Sequence, residues 1–338
     1  MQSLNNKKCL VLGATGIIGN HVLRELVVQN AREVLACGRG VTPTKNLTDL
    51  DVPLIRADTN DQDSLKHAFR GVDVVFHSAG YYPQHYFDKP GHSRAALTQI
   101  RNVLSAAREC GVARVVYTSS VTTIGRAKLG EMADETLNYD LLGKDPHPYF
   151  YLKHKVEEEV RAWAERGDID VVMVNPTGCF GPFELKPPSL CIVPQIASGR
   201  LPGVVDGLIN AVDVADVARG HVQAALKGKN GERYILSGHN MTVLKLVEEI
   251  CAVAGVRPPR FKIPIQPALG VSFLDELLCR FLGRVPHMPL LGLCFVQYGQ
   301  HYSCQKAQHE LAYTFSPLRA CLERSLEWFY KIGYCRRR

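Results

Sequence analysis

Short apolar runs alternate with amphipathic helical segments through the first half of the chain. Apolar runs predict strands over residues 8–12, 33–37, 54–57, 72–77, 114–118 and 171–174. Helical spacing of apolar residues predicts helices over 20–28, 62–70 and 94–110, and another that begins at Pro148. Strands and helices that alternate in this way form a parallel sheet with helices on both faces. The pattern therefore predicts a doubly wound α/β fold.

The length of the chain, 338 residues, is more than one compact layered domain usually needs. Residues 1–182 are the predicted nucleotide-binding domain, and strand and helix signals of the same kind return around 208–236. Residues 183–338 are expected to form mainly a smaller substrate-binding lobe. Within it, segments 183–207 and 258–300 are expected to select the substrate. Tyr81, Tyr82 and Tyr86 either line the same pocket or serve in packing.

A glycine-rich turn directly follows the first predicted strand. It reads Gly13-Ala-Thr-Gly16-Ile-Ile-Gly19 and leads into a predicted helix. In a dinucleotide-binding turn the first glycine permits the sharp bend, the second admits a pyrophosphate and the third lets helix and strand pack closely. The helix N-terminus then offers its N–H groups to the phosphates. This arrangement predicts a Rossmann-type domain that binds a nicotinamide dinucleotide.

The end of the second strand indicates which dinucleotide is bound. An acidic residue there would accept a hydrogen bond from a free ribose 2′-hydroxyl, but the chain has Cys37-Gly38-Arg39-Gly40. The guanidinium of Arg39 suits a 2′-phosphate, which favours NADP(H). NAD(H) stays open, because Arg39 can also be a solvated loop charge.

The carboxyl ends of parallel strands meet at one edge of the sheet, which is where such folds bind their ligands. Small and polar residues follow the predicted strands at that edge. The predicted cofactor contacts are Gly13, Thr15, Gly16, Ile17, Ile18, Gly19, Arg39, Asp58, Thr59, Ser78, Ala79, Gly80, Tyr149, Lys153, Pro176, Thr177, Gly178 and Cys179.

Two overlapping Tyr-x-x-x-Lys pairs lie in the helix that begins at Pro148, namely Tyr149/Lys153 and Tyr151/Lys155. Residues four apart lie on one face of a helix. The first pair continues into an apolar stripe, whereas the second would bury carboxylates and a guanidinium without partners. We therefore expect Tyr149 and Lys153 to face the core. The apolar stripe beside them is Leu152, Val156, Val160, Trp163 and Ala164.

A lysine ammonium beside a phenol favours the phenolate, so Tyr149 is expected to exchange a proton near neutral pH. Ser119 and Ser120 end the strand before this helix, where a hydroxyl can reach a substrate carbonyl. The alternative is that the helix is an ordinary amphipathic helix with surface charges, and that Ser119 and Ser120 are ordinary polar loop residues.

Composition narrows the class of protein. The formal charge is +7, but the basic residues are dispersed, which argues against a nucleic-acid partner. The eleven cysteines form no C-x-x-C pair, which favours buried thiols in a reducing compartment over disulfides or a metal site. We expect a cytoplasmic protein, because no signal-peptide pattern and no apolar run of 18 residues is seen. Peripheral membrane contact through 271–282 and 288–296 stays open.

The motifs together resemble those of the extended short-chain dehydrogenase/reductase family, also called the NAD-dependent epimerase/dehydratase superfamily. In that family the second serine, the tyrosine and the lysine form the catalytic group, which implies Ser120, Tyr149 and Lys153. Segments 181–190, 210–218 and 231–238 are similar to those of dihydroflavonol-4-reductase-type enzymes, and the latter two also to hopanoid-associated sugar epimerases. The motifs that carry the family resemblance are 13–19, 115–120, 148–153, 175–182, 303–313 and Trp328.

Two departures from the family pattern concern packing and reaction type. Ala96 and the pair Gln99-Ile100 replace an asparagine and a Gly-Thr pair, which affects local packing more than chemistry. Val121-Thr122 stands where sugar-nucleotide 4,6-dehydratases of the family carry Asp-Glu, which argues against a dehydratase.

The sequence thus predicts an NADP(H)-dependent oxidoreductase that reduces a ketone or aldehyde, or oxidises the alcohol, of an apolar small molecule. Tyr149 would pass the proton, Lys153 would lower the tyrosine pKa and hold the nicotinamide ribose, and Ser120 would bind the carbonyl oxygen. The alternatives are a sugar or sugar-nucleotide epimerase and a non-catalytic NADP-binding regulator. Monomer and homodimer both stay open.

Overall fold

The computed structural model of the protein describes residues 3–40, 44–83, 88–141, 143, 146–186, 191–199, 201, 203–284, 286 and 289–337. Tyr86, which was expected near the substrate pocket, lies outside the described residues, as do residues 187–190 of the predicted substrate lobe.

The strands of the described part form one large sheet and two small ones. Seven strands pair in parallel in the order β3-β2-β1-β4-β5-β6-β10. Strands β7, β9 and β11 form a second sheet, and β8 pairs with β12. The bounds are β1 Lys8–Leu12, β2 Glu33–Gly38, β3 Leu54–Arg56, β4 Val74–His77, β5 Arg114–Thr118, β6 Val171–Pro176, β7 Gly178–Phe180, β8 Gly203–Val204, β9 Leu208–Asp213, β10 Arg233–Leu236, β11 His239–Thr242 and β12 Phe261–Lys262.

Ten α-helices are seen among the described residues. They are α1 Ile17–Val28, α2 Gln62–Phe69, α3 Lys89–Glu109, α4 Pro148–Glu165, α5 Ile192–Ala197, α6 Val214–Lys227, α7 Val243–Ala254, α8 Ile265–Leu282, α9 Leu290–Gln297 and α10 Leu318–Lys331. A 3-10 turn covers Val121–Thr123, and a π-helical segment covers Ala307–Leu311.

Helices cover both faces of the large sheet, as the alternating pattern predicts. One apolar core joins the sheet to α1 and α6, and the other joins it to α2, α3 and α4. The predicted doubly wound α/β fold is therefore confirmed. A third core packs α5, α7 and α10 against β9. The assignment of whole segments to two domains stays a prediction.

Helix starts differ most from the sequence expectation. Helix α3 begins at Lys89, five residues before the predicted start, because the Asp88 side chain accepts a hydrogen bond from the Gly91 N–H. The first turn of α3 is polar. The sequence therefore shows no apolar periodicity there from which the helix could be predicted. Helix α1 begins at Ile17, directly after Gly16, rather than at Asn20.

None of the described helices is both long enough and apolar enough to span a bilayer. All eleven cysteines lie in the described part, and none of them forms a disulfide.

Candidate active site

The glycine-rich turn between β1 and α1 is shaped by two close backbone approaches. Gly13 has a φ of +90°, and a Cβ there would lie 2.7 Å from the Ala79 nitrogen. A Cβ on Gly19 would collide with the Gly13 carbonyl oxygen. Gly16, in contrast, is exposed and has only the Gly13 oxygen in range, at 3.4 Å. The turn is therefore closely packed at Gly13 and Gly19 and exposed to solvent at Gly16.

The open side of this turn fits a dinucleotide phosphate. Gly16 is the N-cap of α1, and no described side chain caps the helix there. The N-terminal N–H groups of a helix need acceptors, and an uncapped N-terminus next to an open glycine is suited to an anion. Thr15, Ile17 and Ile18 line this end and are half-buried.

The other predicted cofactor residues lie where their strands end. Arg39 follows β2 and is exposed, while Ser78, Ala79 and Gly80 follow β4. The Ser78 and Thr118 hydroxyls are 2.9 Å apart, which joins the ends of β4 and β5. Gly80 lies close to Lys153, since a Cβ at Gly80 would be 3.2 Å from the Nζ of Lys153. The structure thus brings the ends of β1, β4 and β5 together with Lys153.

Three of the predicted cofactor contacts also have hydrogen-bond partners within the protein. The Asp58 carboxylate accepts two hydrogen bonds from Asn60, both at 2.9 Å. The Thr59 carbonyl accepts one from Asn102 at 2.9 Å. The Thr177 hydroxyl donates to Asn210 at 2.7 Å. Pro176 is buried, and Gly178 and Cys179 follow it into β7 half-buried.

Ser120, Tyr149 and Lys153 meet at the end of β5. All three are buried, with exposures of 8%, 9% and 9%. The Ser120 hydroxyl lies close enough to the Tyr149 phenol to oppose the rise in the phenol's pKa, and its oxygen accepts hydrogen bonds from the N–H and hydroxyl of Thr122 at 3.2 and 3.0 Å. Lys153 Nζ donates to the Thr118 and Ser119 carbonyls at 3.2 and 3.4 Å. A hydroxyl pair therefore stands beside an ammonium at the ligand edge of the sheet.

The second Tyr-x-x-x-Lys pair lies on the outer flank of α4, as the helical phase predicts. Lys89 Nζ lies 4.1 Å from the centre of the Tyr151 ring. Lys155 Nζ is 2.7 Å from the Glu158 carboxylate. The predicted burial of Tyr149 and Lys153 is thus confirmed, whereas their chemical role stays a prediction.

The pKa of Tyr149 departs from the sequence expectation. Burial raises the pKa of this phenol well above 10, and Tyr82 adds to the rise, while the Ser120 hydroxyl and the Lys186 charge offset the rise only in part. The expectation of a phenolate near neutral pH is therefore wrong for the protein alone. Because burial holds its pKa well above 10, Tyr149 stays protonated at neutral pH.

Burial also lowers the pKa of Lys153, to about 8, although the neighbouring Glu157 opposes this effect. A lysine with this pKa begins to lose its charge just above neutral pH. The site thus combines a protonated phenol with an ammonium whose pKa is about 8.

An aromatic and aliphatic wall covers Tyr149. The centre of its ring lies 5.1 Å from that of Tyr82 and 5.7 Å from that of Phe295 in α9. Leu290 and Leu291 of α9 belong to the same core. Tyr82 thus packs against Tyr149, whereas the hydroxyl of Tyr81 is 2.8 Å from His92 Nδ1 in α3; that these tyrosines line the substrate pocket stays a prediction. Molecules that reach Tyr149 therefore meet an apolar surface.

A buried carboxylate, Glu157, was missed by the sequence analysis. It lies one turn after Lys153 and is 3% exposed. Its Oε2 accepts hydrogen bonds from Ser119, from Thr123 at 2.8 Å and from Asn175 at 2.7 Å. Asn175 also donates to the Ser120 carbonyl at 3.0 Å, so the network reaches both serines.

Arg233 of β10 completes this network. Its Nη1 lies 3.2 Å from Glu157 Oε1, and both side chains are almost fully buried. Arg233 also donates to the Glu135 and Leu137 carbonyls. The signal in the sequence was the helical phase, which places Glu157 eight residues after Tyr149 and therefore on the same face.

Comparison with known proteins gives concordant results. The model of the NAD dependent epimerase/dehydratase family matches residues 9–237. A Synechocystis protein provisionally named dihydroflavonol 4-reductase is 31% identical, over 96% of this chain and 95% of its own. The 2-alkyl-3-oxoalkanoate reductase of Stenotrophomonas maltophilia is 30% identical, over 90% and 94%. The structure of a nucleoside-diphosphate-sugar epimerase from Pseudomonas aeruginosa superposes with a TM-score of 0.79, at 27% identity over 97% and 99%.

Proposed function

Since the chain belongs to the NAD dependent epimerase/dehydratase family, we propose that it is an NADP(H)-dependent oxidoreductase that reduces a ketone or aldehyde of an apolar small molecule. The family contains nicotinamide-dependent enzymes that act on small molecules, and this chain's relatives include reductases. The observation that carries the proposal is the convergence of the buried Ser120, Tyr149 and Lys153 at the end of β5, beneath an apolar wall.

The protonation state of the site supports carbonyl reduction. A bound nicotinamide dinucleotide supplies the hydride, and the alkoxide that forms on the substrate needs a proton. Tyr149 is protonated at neutral pH because its pKa is raised, so it can donate that proton. Ser120 offers a second hydroxyl to the same oxygen. Lys153 places its ammonium beside Gly80, where it can hold a ribose hydroxyl.

The wall over Tyr149 supports an apolar substrate. Tyr82, Phe295 and the leucines of α9 offer few hydrogen-bonding groups to a sugar, whereas alkyl and ring carbons pack well against them. The relative from Stenotrophomonas maltophilia is named for a ketone that carries alkyl groups. The experiment is NADPH oxidation against ketones of equal reactivity and increasing chain length. We expect kcat/KM to rise with chain length, and a flat response would contradict the apolar assignment.

A sugar or sugar-nucleotide epimerase is the second candidate, favoured by the family name and by the similar epimerase structure. An epimerase returns the hydride to its substrate, so the nicotinamide shows no net change. The absorbance spectrum of the purified protein would reveal a retained dinucleotide. Retained cofactor together with no net NADPH oxidation on any ketone would favour the epimerase.

Arg39→Ala is expected to weaken NADPH binding by roughly 10–100-fold and to leave NADH binding nearly unchanged, since one charged hydrogen-bonding partner of a phosphate is lost. Isothermal titration with both dinucleotides measures this. The matched control is Arg32→Ala, because Arg32 is also exposed but precedes the opposite end of β2. Equal losses for NADPH and NADH in Arg39→Ala would exclude a contact with the 2′-phosphate.

The pH dependence of reduction is expected to report Lys153. Its ammonium is the form present below its pKa of about 8. If the charged form binds the cofactor ribose, kcat/KM falls as the pH rises through about 8, and it stays level below that value. Lys153→Met should be much slower and should lose this limb of the profile. An unchanged rate and an unchanged profile in Lys153→Met would show that the lysine only packs the helix.

A further inference from the structure

Helix α8 has its polar and apolar faces reversed relative to a helix that packs on a core. Its fully buried positions are Ala268, Ser272, Glu276 and Cys279, which are small or polar. Its outer face carries large apolar side chains one or two turns apart, with exposures between 57% at Leu274 and 80% at Phe281. We call these residues the α8 stripe: Val271, Leu274, Leu278, Phe281 and Leu282.

The inner face explains why the helix holds this orientation. The carboxylate of Glu276 accepts a hydrogen bond from the Leu290 N–H at 2.9 Å, at the start of α9. The inward face therefore gains a hydrogen bond that holds α8 against the first turn of α9. Rotating α8 to bury the stripe would remove this bond.

Contiguous exposed apolar side chains on a folded protein mark a surface that binds something. Single exposed apolar residues are common and carry no such meaning. The α8 stripe has a constant helical spacing and large side chains, which a solvated helix face would not have. Something apolar is therefore expected to cover it.

The charges around the stripe indicate what covers it. In segment 257–284 every exposed charge is positive, because Asp275 is half-buried and Glu276 is buried. Lys262 also pairs with Asp206 at 3.0 Å. Phe261, 69% exposed, sits between two of these cations. The exposed cations are Arg257, Arg260, Lys262, Arg280 and Arg284.

We propose that segment 257–284 docks on the surface of an anionic lipid bilayer. The α8 stripe enters the boundary between headgroups and acyl chains, and the flanking cations bind the anionic headgroups, as in helices that lie in a membrane interface. A two-fold contact between copies of the chain would place like-charged segments against each other. A bilayer has no such repulsion, and its charge is complementary.

The docked surface adjoins the candidate site. Leu269 of α8 packs against the core that contains Tyr149, Leu290 and Leu291. An apolar substrate could therefore pass from the bilayer to the wall over Tyr149, and this consequence rests on the proposed function. The docking itself depends only on the α8 stripe and its cations.

The test is flotation of the purified full-length protein with vesicles of phosphatidylcholine alone and with about one third phosphatidylglycerol. We expect binding to the anionic vesicles that weakens as salt is added, and little binding to the neutral ones. Leu274→Ser/Leu278→Ser/Phe281→Ser should weaken binding by more than about tenfold, since three large apolar side chains leave the interface. Arg260→Gln/Arg284→Gln should weaken it about fivefold per residue and lower its salt dependence.

The control is Val28→Ser/Leu129→Ser, which removes two exposed apolar side chains (70% and 104%) far from α8 in the sequence. Absence of binding to anionic vesicles, or an equal loss in this control, would overturn the proposal. A dimer in sedimentation that the triple serine variant dissociates would assign the stripe to a second copy instead. Because flotation needs no turnover, its result is independent of whether the enzyme reduces any ketone.

Discussion

Tyr149→Phe is expected to lower turnover by roughly 10²–10⁴-fold, the usual contribution of a positioned general acid. The change removes only the phenol oxygen, and the ring keeps its packing against Tyr82 and Phe295. NADPH affinity should therefore stay within a few-fold of the wild-type value. Stopped-flow NADPH oxidation and equilibrium titration measure the two quantities on the same preparation.

The control is built into the same helix. Tyr151→Phe removes the oxygen of a half-buried tyrosine whose ring lies beneath Lys89, and its turnover should stay within about twofold. An inactive Tyr151→Phe together with an active Tyr149→Phe would show that the wrong pair was assigned. Ser120→Ala should lower turnover as well, because Ser120 is proposed to offer its hydroxyl to the same substrate oxygen that Tyr149 protonates.

Arg233→Met is expected to lower the free energy of unfolding by about 3–5 kcal/mol, the usual cost of leaving a buried charge without its partner. The Glu157 carboxylate would keep its three hydrogen-bond donors but lose the buried guanidinium that neutralises it. Urea unfolding followed by circular dichroism measures the change. Arg161→Met is the matched control, because Arg161 lies 3.8 Å from the same oxygen but is 37% exposed. It should cost less than about 1 kcal/mol.

A double variant separates the effect of the buried charge on stability from the effect of side-chain packing. Arg233→Met/Glu157→Gln should recover part of the lost stability, since no uncompensated charge is then buried. Glu157→Gln should also shift the alkaline limb of the pH profile to lower pH, because the Glu157 charge raises the pKa of Lys153. A double variant no more stable than Arg233→Met, with an unmoved profile, would show that Glu157 contributes packing alone.

The geometry of the glycine turn was predicted from the local sequence. The glycines of the first turn act through local backbone geometry, and the structure shows Gly13 and Gly19 at close backbone approaches. The choice between Tyr149 and Tyr151 also followed from a local rule, since helical phase alone decides which side chain faces an apolar stripe.

The predicted ionisation state of Tyr149 could not be obtained correctly from such local rules. Sequence spacing places Lys153 one turn from Tyr149, and attraction between the two groups would lower the tyrosine pKa. The pKa is instead raised, because the phenol is buried, with Tyr82 and Phe295 of α9 packed against its ring. Burial depends on elements far away in the chain, and no pattern around residue 149 reports it.

The sequence by itself determined the parallel α/β order, the glycine turn and the buried register of α4, because each follows from contacts between residues less than about two turns apart or from strand–helix alternation. Only the tertiary structure decided the Glu157–Arg233 pair, the protonated state of Tyr149 and the reversed faces of α8. Each of these is set by a partner distant in the chain. The free energy of a buried charge or an exposed apolar face depends on what lies against it, and chain folding alone brings those partners together.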